Sequence, residues 1–438
     1  MKKKLRKKLA AMSAVCAVAV SGLFGSQVVS KAADVEINET NFKDSYIYSA
    51  VLGADANKDG LLSSKEASTI ESLFASDETD DISWVFKYLP NVKEITVNVG
   101  NNTKLKVGNT KLTTINLYSA KNVVSLEKAA PKYVQYSVDG ERSTYDFSKA
   151  KGYEKVTEFR LYGNKNTKKV VPVNQGKLTK FEMYNTSVSS YNAASLKSIK
   201  TLDLSSNNLK SLNVSKNKTL TSLACYSNKL TGLNLKSNSS LHDVGAGDNS
   251  LSKLDVSNNK KIISVVAYKN KLKGVTTPNN SKINRIDLSK NKVTSFVPKQ
   301  YKSLETLYLA DNSIKTLDIS KNVKLSSLDL AGTNVKKISP AKNAKFGFIS
   351  VGKNHTLLNP IKLQENNPYI YIYFDIAKGK SCDLIKLMPA LKGYKFKYND
   401  GNISVSENGV VKCLNNKTAF FYAEKGKKTI SFVVNREW

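Results

Sequence analysis

The chain runs to 438 residues, more than one compact core can organise, so it needs several domains or a repeat architecture. Its formal net charge of +32 is carried almost wholly by lysine and points to polyanions as partners, while only two histidines and four cysteines are present. Neither His242 nor His355 has a cysteine or serine arrangement nearby that suggests a nucleophile and its base, and no zinc spacing or phosphate-binding glycine loop occurs, so an enzyme is not expected.

Six cationic residues within Lys2–Lys8 precede an apolar run from Leu9 to Phe24, with small residues near Ser30, Ala32 and Ala33. This reads as an export signal over residues 1–32. Removing it, with seven Lys or Arg and no acid, takes the net charge from +32 to +25. For a secreted or surface-associated protein such a surplus favours wall polymers, acidic glycans or anionic membranes, and no nucleic acid is expected as a partner. No second apolar stretch follows, so no transmembrane anchor is expected.

Residues 33–91 read as a small helical N-terminal cap. Asp55, Asn57, Asp59, Ser63 and Glu66 fall at positions 1, 3, 5, 9 and 12 of a loop, with Gly60 at the bend and the Leu61 carbonyl at position 7. Oxygen donors at that spacing make a cage for one structural Ca2+, and the run resembles the EF-hand loop. Tyr46, Ile47, Val51 and Leu52 before it, and Ala67, Ile70, Leu73 and Phe74 after it, predict two short flanking helices. Loops of this kind resemble the N-terminal caps of secreted bacterial leucine-rich-repeat proteins.

Over residues 92–360 one phrase recurs. Ile199-Lys-Thr-Leu202-Asp-Leu204-Ser-Ser-Asn207 is repeated from Leu178, Leu220, Leu241, Ile262, Ile283, Leu304, Leu325 and Phe346, always 21 residues apart. Looser copies from Val92, Leu112, Tyr133 and Val156 bring the count to 13 coils. The pattern L-x-x-L-x-L-x-x-N-x-L resembles the leucine-rich repeat, in its internalin-like bacterial form, and the resemblance implies a secreted protein that binds or adheres through a solenoid. Alternation sends Leu202 and Leu204 inward and Thr201, Asp203 and Ser205 outward, so successive strands stack into one parallel sheet, concave on its outer face. Asn207, Asn228, Asn249, Asn270, Asn291, Asn312 and Asn354 are expected to satisfy backbone groups at one turn, with Thr333 the single break. Asn217, Asn238, Asn259, Asn280, Asn322 and Asn343 form a second column at the other turn. The short return segments leave no room for a convex helix, so a mainly β fold is predicted.

Residues 361–438 change to alternating short strands, among them Tyr369–Phe374, Tyr394–Tyr398 and Thr429–Val434. Such spacing predicts a small β-sandwich. The runs S-E-N-G-V-V-K and T-I-S-F-V-V resemble a group 2 bacterial immunoglobulin-like domain, with Phe396 where a tryptophan is usual. Of the three cysteines after the leader, Cys225 is expected as a buried free thiol, and the spacing leaves open whether Cys382 and Cys413 are bridged.

The outward positions of the repeat strands hold the predicted ligand-binding set. Tyr118, Tyr162, Tyr184, Tyr226 and Tyr268 recur at one position, joined by Tyr308 at its neighbour, with Asp203, Asp287 and Asp329 among them. Tyrosine combines a large apolar body with one hydroxyl at low entropic cost, as recognition surfaces require, although strand propensity alone also favours it. Over 39 outward positions only Arg160, Lys180 and Arg285 are basic, against Glu94, Asp139, Glu158, Glu182, Asp203, Asp243, Asp287 and Asp329. The face is therefore acidic on a basic molecule, which suits a monomer with a protein or glycan ligand in its trough. The lysine-rich remainder offers an alternative, retention on anionic cell-wall polymers.

Overall fold

The computed structural model describes residues 34–434 apart from 280–281, 343, 352–355, 358–361, 364–368, 375–378, 380, 388–390, 399–400, 416 and 427. The export signal, His355, Asn280, Asn343 and Asn354 lie outside the described residues. The protein is a leucine-rich-repeat solenoid of mainly β structure. One parallel sheet runs without interruption from Ser72–Ala75 through Glu94–Asn98, the repeat strands and Phe348–Val351 to Tyr369–Phe374. Shorter pairs on the opposite side of the coils, such as Ser190–Asn192 with Ser211–Asn213, form the back. Among the described repeat residues only Pro298–Gln300 makes a helical turn.

The asparagine column is built as its spacing demands. Asn270 Nδ2 donates to the carbonyls of Ala246, Ala267 and Tyr268, while its Oδ1 accepts from the Leu251 N–H of the preceding coil at 2.8 Å. Asn228, Asn249, Asn291 and Asn312 repeat this pattern one coil apart. The residue just before each asparagine needs it. Ser206, Ser227, Asp248, Lys269, Lys290 and Asp311 all hold φ between 50° and 57°, a left-handed conformation costing non-glycine residues about 1 kcal/mol each. Four hydrogen bonds at the next residue offset that cost in a buried setting. Where the column breaks, Gly332 supplies the positive φ and Thr333 Oγ donates to Leu330 O. In the second column Asn217, Asn238, Asn259 and Asn322 each donate twice to backbone carbonyls, and each leaves Oδ1 buried with no protein donor.

Core filling follows coil length. The regular 21-residue coils bury mostly Leu, Ile and Val, with Phe181, Tyr301 and Phe346 among them, whereas the irregular early coils pack several aromatic side chains together: Tyr136 meets Phe147 at 4.8 Å and Phe147 meets Phe159 at 5.0 Å. One early register differs from the sequence reading. Tyr133 pairs with Glu158 and Gln135 with Arg160, so Tyr133, Gln135 and Ser137 face outward and Asp139 leaves the sheet face. Burial decides it, since Val134 and Tyr136 are the residues that fill the interior.

Both ends of the sheet are closed. The helix Ser45–Ala54 is capped by Asp44, whose Oδ1 accepts from Tyr46 and Ile47 N–H and whose Oδ2 accepts from Ser76 and Asp77 N–H, tying the cap to the first strand. The helix predicted after the loop is shorter than expected: it covers Ser64–Ala67 only, and Leu73 and Phe74 lie in the strand Ser72–Ala75. Pairing with Glu94–Val97 satisfies that backbone and buries Leu73, which a helix over the same residues could not do at the open sheet edge. At the other end Tyr369–Phe374, read from sequence as the first sandwich strand, pairs with Phe348–Val351 on one side and Lys428–Val434 on the other. Lys428–Val434 then pairs antiparallel with Ala419–Lys425, and that strand with Lys395–Tyr398. With the small sheet of Ser381–Asp383, Val410–Cys413 and Ile403–Val405 they form antiparallel layers resembling a β-sandwich, one layer of which continues the solenoid sheet. Cys225 is a buried free thiol, and in the sheet Cys382 stands opposite Val411, two residues out of step with Cys413.

Replacing Asn270 by Ala removes four hydrogen bonds and leaves buried carbonyls unpaired, so urea unfolding is expected to show a loss of about 3 kcal/mol or more. Lys271→Ala, on the exposed residue beside it, is expected to change stability by less than about 0.5 kcal/mol.

Candidate binding face and calcium loop

All six predicted tyrosines stand on the outward side of the main sheet and are half-buried. Their surroundings differ. Tyr118 lies at 5.3 Å and 15° against Phe74 of the cap, and its hydroxyl donates to the carbonyls of Ala75 and Ser76. Burial, with the charge of Asp44 behind it, pushes its phenol up to about 12. Tyr162 and Tyr184 lie nearly parallel, 5.5 Å apart, and the Tyr184 hydroxyl donates to Asp203 Oδ2 at 2.9 Å. Arg285 sits 5.6 Å from the Tyr308 ring, which also meets Phe348 at 5.5 Å. Tyr226 and Tyr268 lie near-parallel to one another across an intervening coil. Burial, then the neighbouring Tyr268, raises the Tyr226 phenol to about 12.

The acidic residues of the face divide into two kinds. Glu182 receives Arg160 Nε at 2.7 Å and Lys180 Nζ at 3.4 Å. Burial alone would raise its carboxyl, but the two cations hold it below the usual range. Asp203, Asp287 and Asp329 instead each accept the N–H two residues on, from Ser205, Ser289 and Ala331. Asp203 remains partly exposed, whereas Asp287 and Asp329 are 9% and 6% exposed, beneath the Tyr308 side of the sheet. Register alternation gives the direction of these side chains and not their accessibility. Burial raises both carboxyls, Asp329 to about 6. Sequence reasoning also missed Tyr133, whose ring lies 6.0 Å from Arg160, and Phe74, the first aromatic of the face.

In the loop Asp55–Glu66 the turn passes through Lys58 and Gly60 at φ 58° and 75°. Asp55 Oδ2 accepts from Gly60 N–H, Asp59 Oδ1 from Leu61 N–H, and Asn57 Nδ2 donates to Asp59 Oδ2. Glu66 Oε1 accepts from Ala56 N–H, and Oε2 from the Ser63 N–H and hydroxyl, which also makes a capping box for the helix that follows. These bonds hold the Glu66 carboxyl below its ordinary range, the Ser63 side chain first among them. Asp55 is buried and its Oδ1 has no hydrogen-bond partner. Among the described residues no three His, Cys, Asp or Glu side chains converge as a metal cluster.

No protein-family model matches the chain, and no curated protein matches it by sequence. Solved structures align with it at low identity. The functional domain of InlJ from Listeria monocytogenes, described as including a cysteine ladder, aligns at 16% identity with a TM-score of 0.47 over 93% of this chain and 99% of that one. The Listeria monocytogenes internalin InlF aligns at 14% identity and TM-score 0.43 over 72% and 93%. A leucine-rich-repeat protein of Leptospira interrogans aligns at 16% identity and TM-score 0.47 over 70% and 91%. No helix among the described residues is long and apolar enough to cross a membrane.

The raised Asp329 carboxyl has a consequence for stability. Between its unfolded value near 3.8 and about 6 the folded state holds the proton more tightly, so stability falls as pH rises through that window. Asp329→Asn keeps the acceptor for Ala331 N–H, and is expected to flatten the dependence between pH 4 and 6 and to raise stability at pH 7 by about 2 kcal/mol. Chemical denaturation at pH 4, 5, 6 and 7 measures it; parallel curves for the two proteins would contradict the assignment.

Proposed function

We propose that this chain is a secreted or cell-surface-associated binding protein, non-catalytic, whose main-sheet face takes a protein or neutral glycan ligand. The observation that supports the reading most is the pre-set tyrosine series on an otherwise acidic face. Tyr118, Tyr184 and Tyr308 are already held by stacking, hydroxyl bonds or a cation, so little side-chain entropy remains to be lost on binding. The sequence resemblance to internalin-like proteins and to a group 2 immunoglobulin-like domain agrees with this, the C-terminal layers then acting as spacer or second binding module.

A second reading is favoured by charge. Lys210, Lys229, Lys271, Lys273, Lys292 and Lys315 are exposed on the turns beyond the asparagine column, and among the described residues only Lys93, Lys106, Lys180, Lys269 and Lys397 form ion pairs. A free lysine rim suits retention on anionic wall polymers and leaves the sheet face for a different ligand.

The loop from Asp55 to Glu66 is read as a structural Ca2+ site. Asp55, Asn57, Asp59, Ser63 and Glu66 would supply side-chain oxygens and Leu61 its carbonyl. A buried carboxylate oxygen without a partner, Asp55 Oδ1, fits an incoming cation.

Two measurements test these readings. Wall fragments, glycans and surface proteins are offered to immobilised protein. Joint alanine replacement of Tyr184, Tyr226, Tyr268 and Tyr308 is expected to abolish ligand capture, and charge reversal of the rim lysines to remove only salt-sensitive retention. Capture lost with the lysines and kept without the tyrosines overturns the first reading. Millimolar calcium is expected to stabilise the cap by about 1 to 2 kcal/mol over chelator, an effect Asp55→Ala removes. Identical melts with and without calcium would reject the ion site.

A further inference from the structure

The strand Asp243–Gly245 and its continuation present Asp243, Gly245 and Gly247 at three successive outward positions. Both glycines face outward yet are buried, because tyrosine rings from the flanking coils cover them. A Cβ on Gly245 would lie 2.2 Å from Tyr226 Cζ, and one on Gly247 2.5 Å from Tyr268 Cε1. Each ring therefore rests directly on a glycine backbone, where any other residue would lift it. The ring centroids are 6.1 Å apart with planes inclined by 22°. That separation is close to the roughly 6.7 Å advance of two residues along a strand. The rings are thus laid side by side along one strand, two tiles of a single pavement.

Three further features mark this pavement off from Tyr118 and Tyr184. Neither the Tyr226 nor the Tyr268 hydroxyl has a hydrogen-bond partner among the described residues, whereas Tyr118 and Tyr184 spend theirs on backbone and Asp203. The neighbours across the strands are small: Ala224 and Val266 flank Gly245, and Ser222 and Ser264 flank Asp243. Asp243, exposed, continues the line of the two rings.

We propose that the Tyr226 and Tyr268 pavement is a stacking platform for two consecutive sugar rings of a neutral glycan. Sugar rings have an apolar C–H face that settles on an aromatic face, and hydroxyls around the edge that donate to a carboxylate and exchange bonds with phenols. Two adjacent tiles with free hydroxyls and one carboxylate in line supply that set. The acids nearest the rings, Asp203 at Tyr226 and Asp248 and Asp287 at Tyr268, act against anionic glycans, with Arg285 the cation beside Tyr226. This assignment rests on the sheet face being the binding face and names the ligand class of one part of it.

The test uses the whole secreted chain with cellotetraose and the N-acetylglucosamine tetramer as probes, followed by proton NMR. Heparin and a proline decamer serve as comparators for an anionic glycan and an extended peptide. One neutral tetrasaccharide is expected to bind with its ring protons shifted upfield by the tyrosines. Tyr226→Ala and Tyr268→Ala are each expected to weaken it roughly tenfold. Gly247→Val keeps both tyrosines but lifts the Tyr268 ring, and is expected to weaken it similarly, while Val323→Ala, exposed on a turn away from the sheet face, leaves it unchanged. If Gly247→Val fails to fold, Tyr268→Trp, which enlarges the tile, is expected to tighten binding. Absence of binding by both neutral tetrasaccharides at millimolar concentration, binding indifferent to Tyr226 and Tyr268, or capture of heparin or the proline decamer alone overturns the platform. A protein ligand lost on replacing Tyr184 and Tyr308 but indifferent to Tyr226 and Tyr268 also overturns it, and leaves sheet-face binding standing.

Discussion

A side-chain amide that bonds twice to the preceding coil and twice to its own turn holds this molecule together. From Asn207 to Asn312, each asparagine closes the left-handed turn before it and accepts an N–H from the coil below. An amide offers two N–H donors and a carbonyl acceptor at a single position, which neither Asp nor Leu does. Because the bond runs from coil to coil, it fixes rotation and rise together. Every outward residue is then in register with its counterpart 21 residues away, and the tyrosine series of the face is a consequence of that register.

Much of this is legible in the sequence because period 21 and strand period 2 are both local. Leu202 and Leu204 inward and Asp203 outward follow from spacing alone and are found so, while Ser205 is buried, its hydroxyl accepting the Tyr226 N–H. The difficulties lie where the period fails. At Tyr133 the coil is irregular, and the choice between two registers depends on whether Val134 or Val138 joins Tyr136 in a wide interior. At Leu73 and Phe74 an apolar pair suits helix or strand equally, and the open sheet edge decides. Continuity of the sheet through Tyr369–Phe374 into the C-terminal layers is a non-local pairing that no short pattern encodes.

The acids of the face show the same limit in functional terms. Asp203-Leu-Ser205 and Asp287-Leu-Ser289 carry the same D-x-S phrase as Asp255-Val-Ser257 and Asp318-Ile-Ser320 on the back of the coils, where each aspartate accepts the N–H of the serine. That internal echo marks the front aspartates as turn supports, and it was available in the sequence. The glycines of the same face carry the opposite lesson. Gly245 and Gly247 look like gaps in an outward row, yet they are the seats of two tyrosine rings that originate one coil to either side.

The dependence of the face on the amide column is measured most directly by native-state hydrogen exchange at the N–H groups of Leu209, Leu230, Leu251 and Leu272, which donate to the column oxygens. These four amides, although they lie in turns, are expected to exchange only through opening of the stacked coils, as slowly as the strand amides beside them. Exchange at the rate of the exposed turn residues around them would mean that the column does not bind coil to coil.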